Sequence, residues 1–324
     1  MKTGKISESI LKRSVLKYIK SGNYMIKNGA GVGSDCAIFT CGNGLGAQAA
    51  AVFSLWQAAD IFYPFNKAAN NVACSGAMPG MALLTLTLPE TVEEQGLQEM
   101  MREADAAAKR LGLQLAGGHT AVLEGLSLPI ASVTVTGILE GAAPPSSGSS
   151  PGQDIVMTKW AGLEGTVLLA ERYEDKLRER YPLHMIEEAA AFKRQLSVIP
   201  EAATAAKSNV SAMHDVSTGG IFAALWELAE SAGVGLAVDL KKIPIKQETV
   251  EVCEFFGLNP YELLSGGCLL MTTDSGERLV QALEEVHIPA AVIGRTTDNN
   301  DRVVINEEES RFLERPKTDE ITKI

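Results

Sequence analysis

Segment 29–35 (GAGVGSD) places backbone N–H donors beside a carboxylate, a combination that could bind a phosphate or a cation. Gly31 and Gly33 stand at alternate positions, and the segment ends at Asp35. Glycines let backbone amides approach an anion closely, and a carboxylate can hold a cation. No Gly-Lys-Ser/Thr follows, so this is not a phosphate loop of that type, and the flanking pattern is not that of a dinucleotide-binding turn. Taken alone, the segment is more typical of a flexible glycine turn.

Segment 213–220 (MHDVSTGG) joins a predicted strand to a predicted helix. Ser217 or Thr218 can cap that helix, and Gly219 and Gly220 would present its N-terminal amides to an anion. Asp215 stands where a carboxylate could hold Mg²⁺ against a phosphate. A capped loop with Asp215 at the helix entry explains the same residues equally well.

Segment 117–120 (GGHT) follows directly after a predicted strand at residues 113–116. Residues at strand ends commonly carry ligands in folds that alternate strands and helices. His119 could therefore bind a metal, contact a phosphate, or act as an acid or base near neutral pH. The alternative is a turn residue without a functional role.

Asn70 and Asn71 are adjacent on a predicted helix at residues 66–75. Two neighbouring residues cannot share one helix face, so we expect one side chain to point to solvent and the other to a sheet edge or a site. An ordinary polar helix face is the alternative interpretation.

The elements that must position these segments alternate between strand and helix. Apolar runs predict strands at residues 49–55, 81–88, 113–116, 129–139, 154–158, 210–213, 235–240, 268–273, 290–293 and 302–305. Helical patterns predict helices at residues 66–75, 92–111, 185–196, 200–206, 221–232 and 277–286, and Thr91 is expected to cap the second of them. A stretch rich in Gly, Pro and Ser at residues 141–152 indicates a linker or long surface loop. This mixture predicts an α+β (mixed α/β) architecture.

Composition narrows the class of protein. The chain of 324 residues is 46% hydrophobic and has a formal net charge of −11, which indicates a folded acidic protein. This charge argues against nucleic acid or an anionic membrane as a general partner, and no apolar run reaches the ~20 residues needed to cross a bilayer. The five cysteines form no Cys-x-x-Cys pair and no signal peptide is visible, so we expect reduced thiols and a cytoplasmic location.

The order and spacing of these segments resemble the aminoimidazole ribonucleotide (AIR) synthase superfamily, which includes thiamin-monophosphate kinase, selenophosphate synthetase and the hydrogenase-maturation protein HypE. Five segments carry the resemblance: 33–38 (GSDCAI), 70–79 (NNVACSGAMP), 117–120 (GGHT), 213–220 (MHDVSTGG) and 263–270 (LLSGGCLL). They look like the family patterns GDDAAV, NDLAxxGAxP, GGDT, HDxTxGG and SxGxLL. The hydrogenase-maturation branch is the nearest, judged from segments 213–215 and 154–170.

The resemblance implies a two-domain fold, with an N-terminal domain (residues 1–143) that pairs its sheet with a second subunit to form a homodimer. A C-terminal domain (152–314) and a tail (315–324) follow. ATP would bind near the cleft between domains, with Mg²⁺ held at Asp35 and Asp215. Asp215 and His119 would be catalytic. The groups expected to contact nucleotide or phosphate are Gly31, Gly33, Asn71, Gly118, Thr120, Thr218, Gly219 and Gly220.

Three family carboxylates are missing, and Ser34, Asn71 and His119 stand in their places. Hard cations need charged oxygen ligands, so we expect Mg²⁺ binding to be weakened. The hydrogenase-maturation protein also carries a modified C-terminal Cys. No Cys follows Cys268 in this chain, so carbamoyl dehydratase chemistry is not expected in its known form.

These observations leave three hypotheses. The first is an ATP-dependent enzyme that activates a substrate oxygen by phosphorylation at a degenerate Mg²⁺ site. The second is a non-catalytic, dimeric binding or maturation-accessory module that keeps the cleft without the turnover. The third is a transition-metal site built on His119 and Asp35, because histidine suits Zn²⁺ better than Mg²⁺.

Overall fold

The computed structural model describes residues 6–19, 24–139, 148–314 and 318–324. Contacts between Cα atoms divide the chain into two compact units. The sheet unit comprises Gly22–Gly29 and Asp35–Ala143, and the C-terminal unit comprises Met1–Ser21, Ala30–Ser34 and Pro144–Ile324.

Helices and strands alternate along both parts of the chain. The first part contains α1 (Glu8–Ser14), β1 (Ile26–Asn28), β2 (Ala37–Cys41), β3 (Gly44–Ser54), α2 (Phe62–Ala73), β4 (Met78–Leu88), α3 (Glu94–Arg110), β5 (Gln114–Val122) and β6 (Ile130–Leu139). The second part contains β7 (Asp154–Thr158), α4 (Leu163–Arg172), α5 (Glu174–Leu177), α6 (Leu183–Ala191), α7 (Ile199–Ala205), β8 (Ala212–Val216), α8 (Gly220–Ala232), β9 (Gly235–Asp239), α9 (Gln247–Phe256), β10 (Cys268–Thr273), α10 (Gly276–Glu284), β11 (Ala290–Thr297), β12 (Arg302–Asn306) and β13 (Glu309–Phe312).

The sheet unit is a six-stranded sheet in the order β1-β2-β3-β6-β4-β5. Its neighbouring strands are antiparallel except β4 and β5, which are parallel. Helix α2 packs on β3, β6 and β4, and α3 packs on β5 and α2. Successive side chains of β4 alternate accordingly: Ala82, Leu84 and Leu86 are buried, whereas Met81 and Leu83 are exposed. One face of this sheet therefore supports the helices, and the other presents apolar side chains to the surface.

The C-terminal unit is a seven-stranded sheet in the order β13-β12-β9-β11-β7-β10-β8. Strands β7 and β10 lie inside the sheet and are almost wholly buried, which explains their continuous apolar sequences. Helices α7 and α10 pack on the central strands, and α8 packs on the edge strand β8. Helices α4, α6 and α9 pack on one another around Leu169, Leu177, Ile186, Val252 and Leu263.

The N-terminal segment is grouped with the C-terminal unit, whereas the N-terminal domain expected from the sequence included it. Helix α1 is attached to α8 through Lys12, whose Nζ lies 3.0 Å from Glu230 Oε1. Glu230 also pairs with Arg302 at 2.8 Å, and the Arg302 guanidinium stacks 3.9 Å from the ring centre of Trp226. This network joins α1 to α8.

Two segments expected at the surface fall partly outside the described residues, namely 141–147 of the expected linker and 315–317 of the expected tail. Residues 318–324 of that tail pack closely, because Asp319 and Glu320 are buried. Within the described ranges, no helix has the length and apolar character of a membrane span.

Candidate functional site

The edge strand β8 carries two polar side chains on opposite faces of its sheet. All five of its residues are buried, and successive side chains of a strand alternate between faces. His214 lies on the α8 side, where its Nε2 is 3.2 Å from Glu227 Oε2. Asp215 therefore lies on the other side, with 3% of its surface exposed. Only one of the two residues of the His-Asp pair can serve a site on a given face.

The turn 217–220 that follows β8 requires glycine for reasons of packing. Gly219 and Gly220 have φ values of +87° and +66°, which other residues rarely adopt. A Cβ on Gly220 would lie 2.4 Å from the backbone oxygen of Tyr261. The fold itself therefore explains this glycine pair, whether or not a phosphate binds there.

Protein groups accept hydrogen bonds from the amides of this turn. The Gly219 N–H donates to Asp319 Oδ2 at 2.5 Å, and the Gly220 N–H donates to the Ser217 carbonyl at 3.1 Å. In the first turn of α8, the Phe222 N–H donates to the Tyr261 carbonyl at 3.2 Å. The anion that contacts the expected phosphate-binding turn is thus a carboxylate of the chain itself.

A second motif segment lies against this turn. The Ser265 N–H donates to the Ser217 carbonyl at 3.2 Å, which joins segment 263–267 to turn 217–220. The Ser265 hydroxyl accepts a hydrogen bond from the Gly162 N–H at 2.7 Å. Next to it, a Cβ on Gly266 would lie 2.0 Å from Glu164 Oε2, a buried carboxylate on α4. The C-terminal unit therefore brings together two of the five family-like segments, which stand far apart in the sequence.

The thiol of Cys268 follows this second turn but is not equipped as a nucleophile. It is fully buried and donates to the Trp160 carbonyl at 2.7 Å. Burial raises its pKa to about 12, so the thiol stays protonated near neutral pH.

The glycine segment 30–34 packs elsewhere on α8. A Cβ on Gly33, whose φ is +71°, would lie 2.8 Å from the backbone oxygen of Glu227. Glu227 is seven residues beyond Gly220, which corresponds to about 10 Å along a helix. Within this segment, the Gly31 carbonyl accepts a hydrogen bond from the Ser34 N–H at 3.4 Å. The structure thus places Gly33 near the middle of α8 and not at the turn of Gly219. Gly31 precedes Gly33 by two residues in the same segment.

The segment of His119 is part of a strand, so its expected position after a strand end is wrong. Strand β5 continues from Gln114 to Val122, with a register shift opposite Ala82 and Leu83. A Cβ on Gly118 would lie 1.7 Å from the Leu84 carbonyl oxygen, so glycine lets β5 pair closely with β4. His119 and Thr120 are exposed within this edge strand.

The asparagine pair on α2 divides between the interior and the surface, as the helix geometry predicts. Asn70 is 1% exposed, whereas Asn71 is partly buried. Asn66, one turn earlier on the same face as Asn70, is also buried. Asn66 was not among the residues singled out from the sequence, although its i, i+4 spacing from Asn70 was a usable signal.

The expected site residues are divided between the two units. Asp35, Asn71, Gly118, His119 and Thr120 belong to the sheet unit, and Gly31, Gly33, Asp215, Thr218, Gly219 and Gly220 belong to the C-terminal unit. Across residues 6–19, 24–139, 148–314 and 318–324, no group of three or more His, Cys, Asp or Glu side chains is arranged to hold a metal ion.

Comparison with known proteins shows which family the sequence matches. The chain matches the family described as AIR synthase related protein, its N-terminal domain over residues 65–139 and its C-terminal domain over residues 150–306. Carbamoyl dehydratase HypE from Azotobacter vinelandii is 29% identical over 245 residues, covering 72% of this chain and 69% of that relative.

Solved structures show the same fold. The crystal structure of a HypE–HypF complex matches with a TM-score of 0.74 at 18% identity, covering 88% of this chain and 94% of that chain. The hydrogenase maturation protein HypE in complex with ATP matches with a TM-score of 0.68 at 17% identity, covering 98% of this chain and 97% of that chain. The mixed α/β, two-domain fold expected from the sequence is confirmed.

Proposed function

Because this chain belongs to the AIR synthase related protein family, we propose that it is a nucleotide-binding protein of the hydrogenase-maturation type. It binds ATP and transfers the γ-phosphoryl group to an oxygen of its substrate, releasing ADP. The family relationship, a relative named carbamoyl dehydratase and a structural neighbour in complex with ATP support the proposal. The five free cysteines agree with the reducing cytoplasm as its location.

The observation that carries the proposal is the contact between turn 217–220 and segment 263–267. The hydrogen bond from the Ser265 N–H to the Ser217 carbonyl, at 3.2 Å, joins two separate motif segments next to the end of β8. In this proposal, Asp215 holds the cation that accompanies the nucleotide, and Thr218 contacts a phosphate. Asp35, Asn71, Gly118, His119 and Thr120 are proposed as further contacts on the basis of the family pattern alone.

A second candidate function is a binding or maturation-accessory module without turnover. The observation that favours it is the Asp319 carboxylate at the Gly219 amide, where the first proposal would bring a phosphate. The replacement of three family carboxylates by Ser34, Asn71 and His119 points in the same direction, because it removes ligands that Mg²⁺ prefers.

Both candidates include a homodimer formed through the exposed face of the sheet unit. That face carries exposed apolar side chains from three neighbouring strands: Val52, Met81, Leu83 and Ile138. Contiguous apolar surface on a folded protein commonly marks an interface. A second copy of the chain would cover it by pairing the same face.

Release of ADP and phosphate from ATP tests the enzymatic proposal, because water takes the place of the substrate oxygen as acceptor of the γ-phosphoryl group when no substrate is added. We expect the purified chain to turn over ATP with Mg²⁺ or Mn²⁺ and the Asp215→Ala variant to lose that activity. Asp298→Ala, which removes an exposed carboxylate in the loop before β12, should leave turnover unchanged. ATP binding without turnover in the wild-type chain would favour the accessory module instead.

A further inference from the structure

Residues 318–324 form a C-terminal strap that is fastened to the C-terminal unit by three consecutive side chains. Asp319 contacts turn 217–220, and Glu320 accepts a hydrogen bond from the Asn259 N–H at 2.9 Å. Ile321 packs against the hydrophobic cluster formed by α4, α6 and α9. Both acids are buried, with 2% and 4% of their surface exposed. The strap is thus seated by specific contacts.

The Asp319 carboxylate uses both oxygens to bridge two segments. Oδ2 accepts from the Gly219 N–H at 2.5 Å, and Oδ1 accepts from the Leu264 N–H at 3.2 Å and the Ile321 N–H at 3.0 Å. Gly219 caps the N-terminus of α8, where the helix dipole favours negative charge. A carboxylate with this set of donors is bound in the way that a phosphate oxygen would be.

We propose that the C-terminal strap is an autoinhibitory contact, in which the Asp319 carboxylate occupies the Gly219 amide and keeps phosphate groups away from turn 217–220. This inference rests on the proposed nucleotide binding at the same turn. An anionic ligand must break the bond from Gly219 to Asp319 before it can use that amide. The negative charge of Asp319 also repels such a ligand while the strap is seated. The strap therefore lowers the affinity of the turn for nucleotides.

Neighbouring acids on the strap allow a matched test. Asp319→Asn removes the charge and leaves one amide oxygen where two carboxylate oxygens now accept, so one side of the bridge is lost. Glu320→Gln removes the same charge from the same strap, but Glu320 contacts Asn259 and not turn 217–220. Glu320→Gln keeps an oxygen that can accept from the Asn259 N–H, so the strap stays seated in this variant. A general electrostatic effect would act in both variants, whereas relief of competition at Gly219 would act only in Asp319→Asn.

The experiment is a calorimetric titration of wild type, Asp319→Asn and Glu320→Gln with ATP, together with thermal unfolding in increasing sulfate. We expect Asp319→Asn to bind ATP about tenfold more tightly than wild type. A factor of this size corresponds to the free energy of about one charge-assisted hydrogen bond. Asp319→Asn should also be stabilised more strongly by sulfate, and Glu320→Gln should match wild type in both measurements. Equal or weaker ATP affinity and an equal sulfate response of folded Asp319→Asn would overturn the proposal.

A second measurement uses the unaltered chain, in case Asp319→Asn fails to fold. Saturating ATP or sulfate should accelerate hydrogen exchange at the strap amides, including the Ile321 N–H that donates to Asp319. Unchanged exchange at the strap would contradict displacement. If no variant binds ATP but sulfate stabilises Asp319→Asn selectively, the proposed function fails, whereas competition between Asp319 and an anion for the Gly219 amide stands.

Discussion

His119 lies directly opposite Thr85 in the parallel pairing of β5 with β4, and both side chains are on the exposed face of the sheet. The same row continues through Ser132 on β6 to Val52 on β3. Paired residues on neighbouring strands share a face. The histidine that the sequence suggested as a ligand therefore belongs to the surface through which we propose that two copies of the chain associate.

Substitution of Leu83 by Glu tests this surface. Leu83 is exposed on β4 two residues before Thr85, and a carboxylate buried in an apolar interface would be strongly unfavourable. We expect wild type to sediment as a dimer and Leu83→Glu as a folded monomer in analytical ultracentrifugation.

Val286→Glu provides the control for the interface variant. Val286 is also exposed and apolar, but it follows α10 in the C-terminal unit. Its substitution should leave the dimer intact. A wild-type monomer, or a Leu83→Glu dimer of undiminished stability, would contradict the proposed interface.

Alanine at Gly220 should destabilise the fold much more than alanine at Gly257. Both glycines have φ +66°, so the left-handed strain of about 1–2 kcal/mol is common to both variants. Only Gly220 has a backbone oxygen, that of Tyr261, within 2.4 Å of the new Cβ, whereas a Cβ on Gly257 meets no atom within 4 Å. We expect Gly220→Ala to lose at least about 2 kcal/mol more in free energy of unfolding, measured with denaturant. Equal losses would show that turn 217–220 is not held against residue 261.

The contribution of Glu230 to stability should disappear in acid. Hydrogen bonds from Arg302 and Lys12 lower the pKa of Glu230 from 4.5 to about 2. Since the folded state holds the ionised form, this contribution is fully present above pH 4.5 and is lost as the pH falls through about 2. Glu230→Gln should cost about 1 kcal/mol of unfolding free energy at pH 7 and little at pH 2.

Denaturant unfolding of wild type and Glu230→Gln between pH 7 and pH 2 measures this difference. Glu309→Gln, at an exposed position on β13, serves as the control and should follow wild type throughout. A stability difference for Glu230→Gln that stays constant over this range would rule out the ion-pair network as its cause.

Local pattern predicted much of the fold, because hydrophobic runs and helical periodicity are properties of neighbouring residues. The expected strands at 154–158 and 268–273 coincide with β7 and β10. The expected end of β5 at residue 116 is wrong, since the Gly-Gly pair that suggested a turn instead accommodates close pairing with β4. Helix α2 begins at Phe62, earlier than expected, because Pro64 falls in its first turn, where proline is tolerated.

The candidate site was less accessible to sequence reasoning, because its contacts are distant in the chain. The motif pattern singled out Gly219 and segment 263–270, but no local signal connects them to Asp319, one hundred residues beyond Gly219. The opposite orientations of His214 and Asp215 also depend on β8 being a strand that packs against α8. Such relationships follow from tertiary packing and cannot be predicted from the spacing of residues along the chain.

The central claim is that the chain binds a nucleotide and that this binding depends on Asp215. Its most direct test is a calorimetric titration of the chain with a non-hydrolysable ATP analogue and Mg²⁺. We expect saturable binding of one analogue per chain, weakened by about tenfold or more in Asp215→Ala, as for the loss of a contact with a charged group. Asp298→Ala should bind like wild type. The absence of binding by the wild-type chain, or an affinity that Asp215→Ala leaves unchanged, would contradict this claim.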